Sequence, residues 1–514
     1  MSDTASPSAL ELLTRGRTYA RRQEYDKAVE LFTGALDLVP DHVGMLISRA
    51  NALIARKQFA EAVQDLNRVI TLKPDHVAAL HNRGMAHAEL GKHDAAIADF
   101  TASIHHDETD PDSYLGRGDL HRKLHRFKEA TADVEKAISL RPDQPRGYYY
   151  LGRIATDRKQ HAEALLEYTQ AIDLAPRAAK LYLARAECYD NLQKHELALA
   201  DLATVLRLNP KSVEAYRLRG TIQFELGYNA KAAGDFDWVL KHDPRDVGTL
   251  NQRGVCFAEL GWFPKAIADF TAAIKQTPTD AEPLYNRALA HSKARNYDAA
   301  VSDFTAVTTM RPDEPDAYLQ RGYAFSALLD SASAIADFTR VIDLDPTQGR
   351  GYFARANTYH REGMRDEALR DAQKVVELAP NDLPALNLRG GLHLALGQYP
   401  EAIADFTAAS EQDQYDLASI NSLAWIYATA HTAEYRNPEK AYELANKACE
   451  YTGHQEAMYL DTLAAACAAL GRFEQATKHQ QTVISLLPHD ERPDYEARLA
   501  LYRSGQAYYE QHPS

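Results

Sequence analysis

Apolar residues in this chain return on a fixed period of 34. With the proline of the unit set at position 32, units begin at residues 9, 43, 77, 111, 145, 179, 213, 247, 281, 315, 349 and 383 without a slip. A thirteenth begins at 417 with five extra residues, and a fourteenth at 457. Within a unit, apolar side chains fall at positions 4, 11, 24, 27 and 30, and small ones at 8 and 20. That spacing predicts two amphipathic helices, over positions 2–14 and 18–31, split by a short turn. The hexapeptide Ala-Ile-Ala-Asp-Phe-Thr recurs in register at Ala96–Thr101, Ala266–Thr271, Ala334–Thr339 and Ala402–Thr407. Such exact repetition marks an internal repeat array, so the expected fold is all-α.

Each recurring letter has a physical task. Gly or Ala at position 8 and Ala at position 20 let the two helices approach closely, beside bulky residues at 4 and 24 such as Leu250 and Phe270. Pro at 32 (Pro40, Pro142, Pro278, Pro488) cannot continue the second helix and stops it. Gly at 15, as in Gly261, fits the inter-helix turn. One hairpin cannot bury its own apolar face, so neighbours must supply the core. The expected organisation is an N-terminal cap over 1–8 (Ser6-Pro7-Ser8), repeats 1–13 over 9–456, repeat 14 over 457–490, and a capping segment over 491–514. Its helix is expected over Asp494–Tyr509, with Tyr495, Leu499 and Tyr502 on one face.

The pattern resembles the tetratricopeptide repeat (TPR) family, in the multi-repeat form of bacterial type, over residues 9 to about 488. The resemblance implies antiparallel helix pairs stacked in a right-handed superhelical solenoid, the first helix of each pair lining the concave side. One departure is systematic. Positions 7 and 23, ordinarily apolar in the family, carry charge here: ten units have Asp at 23, and each of those also has Arg at 7, as in Arg253 and Asp269. Facing positions of an antiparallel hairpin sum to a constant, so 7 should meet 23, either within a unit or across to its neighbour. The matched counts favour a structural ladder of Arg–Asp pairs over an arginine rail for an acidic ligand. Repeats 13 and 14 carry Leu423 and Leu463 instead. The family's basic clamp for a terminal carboxylate is incomplete: Asn51 and Asn82 match its asparagines, but Ile47, Asp112 and Gly116 stand at its charged places.

Charge and chemistry narrow the picture by exclusion. A net charge of −14 argues against nucleic acid or an anionic membrane as partner. Cys188, Cys256, Cys449 and Cys467 lie far apart, which predicts buried thiols in a reducing compartment, the cytoplasm by default. No signal peptide or membrane span is expected. The 20 histidines invite a metal hypothesis, yet His87, His121 and His393 fall at core position 11, and His93, His161 and His195 at position 17, where aromatic residues usually stand. With no HExxH, phosphate loop or GxSxG, no catalytic residue, metal or cofactor is expected.

What remains is the groove lining, expected at positions 2, 5, 9, 12 and 13. Repeats 9–11 place Tyr285, Leu289, Leu319, Tyr323, Phe353 and Asn357 there, an aromatic strip suited to an extended peptide or amphipathic helix. Repeats 4 and 5 offer a basic patch of Arg122, Lys123, Arg146, Tyr149 and Arg153. The insertion in repeat 13 falls around Thr432–Pro438, with Trp425 beside it at groove position 9. The expected function is a protein-interaction scaffold or adaptor holding a partner's peptide in its groove. The alternatives are a self-assembling homo-oligomer, through the Leu-rich repeats 13 and 14, and, more remotely, a cryptic enzyme.

Overall fold

The structure, a computed structural model, describes residues 7–511. Among the described residues the regular elements are 29 α-helices and two short 3-10 turns, with no strand. Twenty-eight of the helices pair as hairpins, from Pro7–Arg21 with Tyr25–Leu38 to Ala457–Ala469 with Phe473–Leu486. In repeat 10 they are Pro315–Ala327 and Ser331–Leu344, positions 1–13 and 17–30, one residue earlier than the periodicity predicts. The last residue of the preceding unit causes the shift. Asp246, Asp280 and Asp382 each accept a backbone N–H from two or three residues on and open the helix there. Of the expected N-terminal cap, Ser6 lies outside the described residues, and the first helix begins at Pro7.

The helices form two compact units, Met1–Pro244 and Arg245–Ser514. Within each, a second helix packs on its own first helix and on the first helix of the next repeat. Successive first helices also touch, as Pro111–Lys123 does Pro145–Asp157 and Pro315–Ala327 does Gly349–Arg361, while successive second helices stand further apart. The side on which neighbours come closest is the inner one, so within each unit the first helices line the concave face.

Close approach inside a hairpin is set by positions 8 and 24. Phe338 is fully buried, and a Cβ added to Gly322 would sit 2.5 Å from its ring. Glycine at 8 faces an aromatic at 24 in seven of the fourteen units, whereas Ala50 and Ala186 face the smaller Leu66 and Leu202. Two repeats depart from this match: repeat 9 sets Ala288 against Phe304, and repeat 4 sets Gly118 against Val134.

Outside repeat 13, whose insertion replaces it, the inter-helix turn imposes a left-handed backbone at position 15 whatever residue stands there: φ is 74° at Gly261 and 62° at Leu329. Only glycine adopts that conformation without strain. Because the Leu329 side chain is 79% exposed and packs little, Leu329→Gly is expected to stabilise repeat 10 by about 1 kcal/mol, read as slower amide exchange in its hairpin.

All ten Arg–Asp pairs form, each within its own repeat. From Arg49–Asp65 to Arg389–Asp405, Nε and Nη2 of the arginine donate to the two carboxylate oxygens; in Arg253–Asp269 the distances are 2.7 and 2.6 Å. The aspartates are buried and the arginines partly so. A third donor reaches the preceding repeat: Nη1 of Arg117, Arg185, Arg287, Arg321 and Arg355 donates to Thr101, Thr169, Thr271, Thr305 and Thr339 at 2.9–3.1 Å. The ladder thus fastens repeat to repeat, a role the sequence alone did not reveal. It skips repeat 5, where Leu151 and Glu167 stand in its places, and where burial, Glu163 and Glu135 push the Glu167 carboxyl up.

The C-terminal helix is shorter than expected, Pro493–Arg503. Leu499 and Tyr502 are buried and Tyr495 half-buried, as the face requires. Gly505 at φ 71° then ends it, with the Gln506 N–H donating to the Leu501 carbonyl. Residues 506–511 are not helical.

Candidate functional site

The concave helices Ala281–Lys293, Pro315–Ala327 and Gly349–Arg361 carry the expected aromatic strip. Inter-repeat packing claims part of it. Leu319 is buried against Phe338 and Ala354, so it belongs to the core rather than the lining. Tyr285 is half-buried, edge-on to Phe304 at 5.7 Å, and Leu289 packs beside the same ring. The open part lies in repeats 10 and 11. Tyr323 is 44% exposed, with its ring 5.3 Å from Phe338. Phe353 is half-buried, and the exposed Asn357 donates its amide to the Phe353 carbonyl at 2.8 Å. Together with Ser326 and Arg361 they line a cavity of about 340 Å³. Arg361 holds its rim, donating to the Ser326 carbonyl and to Ser331 Oγ. The cavity therefore offers two aromatic faces, an amide and a guanidinium, suited to an extended peptide with an apolar side chain flanked by acceptors.

Carboxylates pair with three of the four cations of the expected basic patch. Arg122 is buried between Asp119 and Asp157, Lys123 lies 3.5 Å from Asp119 and 3.8 Å from Glu89, and Arg146 pairs with Asp112. Arg153 donates to the Tyr149 hydroxyl at 3.0 Å, and Lys180 lies over the Tyr149 ring. Counting cations on one face missed carboxylates one repeat away. The missing signal was in the sequence: Arg146 and Asp112, Lys123 and Glu89, Lys293 and Glu259, and Arg350 and Asp316 are each 34 apart.

A second cavity, of about 420 Å³, lies in repeats 2–5 of the first unit among His81, Met85, Gly116, Asp119, Lys123 and Tyr150. Gly116 opens it, since a Cβ there would meet the Phe100 ring at 2.7 Å. Asn82 donates to Asn51 at 2.7 Å, so the two clamp-like asparagines satisfy each other.

Burial shifts the thiols and several histidines. It pushes the Cys256 and Cys449 thiols up to about 12 and Cys467 to about 11, and all four cysteines are buried and free. It lowers His81, His121, His291 and His479. A folded histidine below its unfolded value of about 6.5 keeps its full contribution above that pH and loses it as pH falls, because the unfolded chain takes the proton first. His121→Phe, which places at position 11 an aromatic used there in other repeats, is therefore expected to lose less thermal stability than wild type between about pH 7 and pH 5. Calorimetry at the two pH values checks this. Asp190, His195 and Glu225 bring possible ligand atoms within 4.8 Å of one another among the described residues. His195 Nε2 there already meets Gln193 at 3.1 Å, and Glu225 is exposed.

The sequence profile of the tetratricopeptide repeat matches residues 13–75, 115–179, 160–213, 183–237, 223–281 and 285–349, and related profiles of that repeat match 49–117 and 349–382. No curated protein matches the chain in sequence. Among solved structures, it is similar to a tetratricopeptide repeat protein from Parabacteroides merdae ATCC 43184, at 20% identity over 49% of this chain and 100% of that one, TM-score 0.41. It is also similar to a chain of the APC/C hetero-tetramer Cut9–Hcn1, at 15% identity over 96% of each, TM-score 0.38, and to yeast Tom70, at 18% over 87% and 96%, TM-score 0.34. No helix among the described residues is long and apolar enough to cross a membrane.

Proposed function

This chain belongs to the tetratricopeptide repeat family, and from that premise we propose that it is a protein-interaction scaffold that holds a peptide segment of a partner on a concave face. The observation that carries the reading is the cavity of repeats 10 and 11, where Tyr323 and Phe353 stand open beside Asn357 and Arg361. It joins apolar faces to a few fixed polar groups, the composition of a recognition pocket. The high thiol pKa values and the packing of His121, whose protonation burial disfavours, suit binding rather than chemistry, and four buried free cysteines suit a reducing compartment such as the cytoplasm.

The test is affinity capture from the native host with mass spectrometry, wild type beside Tyr323→Ala with Phe353→Ala, with folding checked by circular dichroism. A prey recovered by wild type and lost with the variant supports the reading. Identical preys from both proteins overturn the cavity as the site. No prey from either, with a mass that rises with concentration in light scattering, would favour self-assembly instead.

A further inference from the structure

Beyond Ser504 the chain runs back over repeat 13 as a non-helical segment, and three consecutive side chains each meet a matched set of groups. The Tyr508 ring lies 6.0 Å from Trp425 and 5.4 Å from the Arg498 guanidinium. The Arg436 guanidinium sits 3.7 Å from the centre of the Tyr509 ring. Glu510 accepts from Trp425 Nε1 at 2.7 Å through one carboxylate oxygen and from the Tyr399 hydroxyl at 3.2 Å through the other. Its backbone N–H donates to the Thr429 carbonyl at 2.8 Å, one of the carbonyls that the end of helix Leu417–Thr429 leaves without an intrahelical partner.

The receiving groups are fixed by contacts of their own. Arg436 donates through Nε and Nη2 to the Ala430 and His431 carbonyls at 2.6 Å each. Tyr399 is 2% exposed, and its hydroxyl meets His431 Nδ1 at 3.0 Å and the Tyr435 ring lies 5.5 Å from its own. Arg436 and Tyr435 come from the extra residues of repeat 13, and Trp425 from groove position 9. The insertion therefore builds one wall of a slot whose floor is the concave helix. The segment in the slot is held differently from a core element. It reaches the repeats mainly through side chains, Tyr509 is 40% exposed, and the connection at 503–506 is exposed throughout. That is how an extended peptide ligand sits.

We propose that repeat 13 with its insertion is a recognition site for an extended segment carrying two adjacent aromatic residues followed by a carboxylate, filled at rest by the chain's own Tyr508, Tyr509 and Glu510 and opened when a partner's segment of that chemistry displaces them. Arg436 reads the second aromatic by a cation–π contact. Two neutral donors, the Trp425 indole and the Tyr399 hydroxyl, read the carboxylate; an amide in its place would turn an N–H₂ toward one of them and leave it unmatched. A short tether holds the chain's own segment at an effective concentration in the millimolar range, so a free peptide competes poorly until the segment is released. This inference goes beyond the scaffold reading above and stands whether or not the cavity of repeats 10 and 11 binds anything.

The test uses the full chain and a fluorescein-labelled synthetic peptide of residues 504–511, titrated by fluorescence anisotropy. Three proteins are compared: wild type, Tyr508→Ser with Tyr509→Ser and Glu510→Gln, and Glu510→Gln alone. The triple variant is expected to bind the peptide at least about tenfold more tightly than wild type, with Glu510→Gln between them. The peptide with Gln for its Glu should bind the triple variant at least about tenfold more weakly. Adding Tyr323→Ala to the triple variant should leave the titration unchanged, which separates this site from the cavity. Equal binding to wild type and released chain, binding to neither, or indifference to the Glu-to-Gln peptide overturns the proposal. Should circular dichroism show the triple variant unfolded, Glu510→Gln against wild type decides by the same criterion.

Discussion

Asp337→Ala is expected to lower the opening free energy of repeat 10 by about 3 kcal/mol, the lower end of the range for breaking a buried pair. The loss comes from Arg321. Its guanidinium keeps Thr305 and Thr308 but loses both carboxylate oxygens, each now within 2.8 Å. The arginine side chain is 16% exposed, so solvent softens the penalty without removing it. Replacing both partners, Arg321→Leu with Asp337→Leu, should stay within about 1 kcal/mol of wild type, since a well-packed apolar pair avoids the desolvation of two charges. The chain already contains that solution: Leu423 and Leu444 occupy the same two positions in repeat 13 and pack in one cluster. Native-state amide exchange reads the effect locally, which matters in an array whose repeats open separately. Equal losses from the single and the double change would show that the ladder stabilises by its charges rather than by mutual satisfaction.

Phe338→Ala should have the largest effect on the same repeat, about 3–5 kcal/mol. The ring is fully enclosed, with Gly322 beneath it and Leu319, Val341 and Ala354 around it. A backbone-lined hole at Gly322 cannot collapse. Phe338→Leu with Gly322→Ala should recover most of the loss, because it copies the pairs Ala50–Leu66 and Ala186–Leu202. Urea denaturation of the three proteins would rank them. A double change no better than Phe338→Ala would mean that the size match between positions 8 and 24 is not what seats the hairpin.

The ladder and the hairpins were legible because both rest on arithmetic within one repeat. Positions 7 and 23 face each other by the geometry of any antiparallel pair, and the 34-residue register shows which residues stand there. The groove was less legible because exposure at position 5 depends on the stacking of neighbouring repeats. Leu319 and Phe353 share that position, yet one is buried and the other lines a cavity. The basic patch misled because, Asp119 apart, its neutralising carboxylates sit on helices one repeat away; only a search at offsets near 34 would have paired Arg146 with Asp112. Apolar spacing also carried the last helix past its real end, since it cannot see that Gly505 turns the chain. The tail's partners were out of reach for a different reason. Glu510 meets residues 85 and 111 positions earlier, and no local pattern encodes such a contact.

The central claim, that a partner's peptide lies on the concave helices, is tested most directly by hydrogen–deuterium exchange on the chain with and without its captured partner. Slowed exchange is predicted in Pro315–Ala327 and Gly349–Arg361, which carry Tyr323 and Phe353, with little change in the second helices Ser331–Leu344 and Arg365–Leu378 behind them. Protection confined to those second helices would place the partner on the convex side and contradict the account.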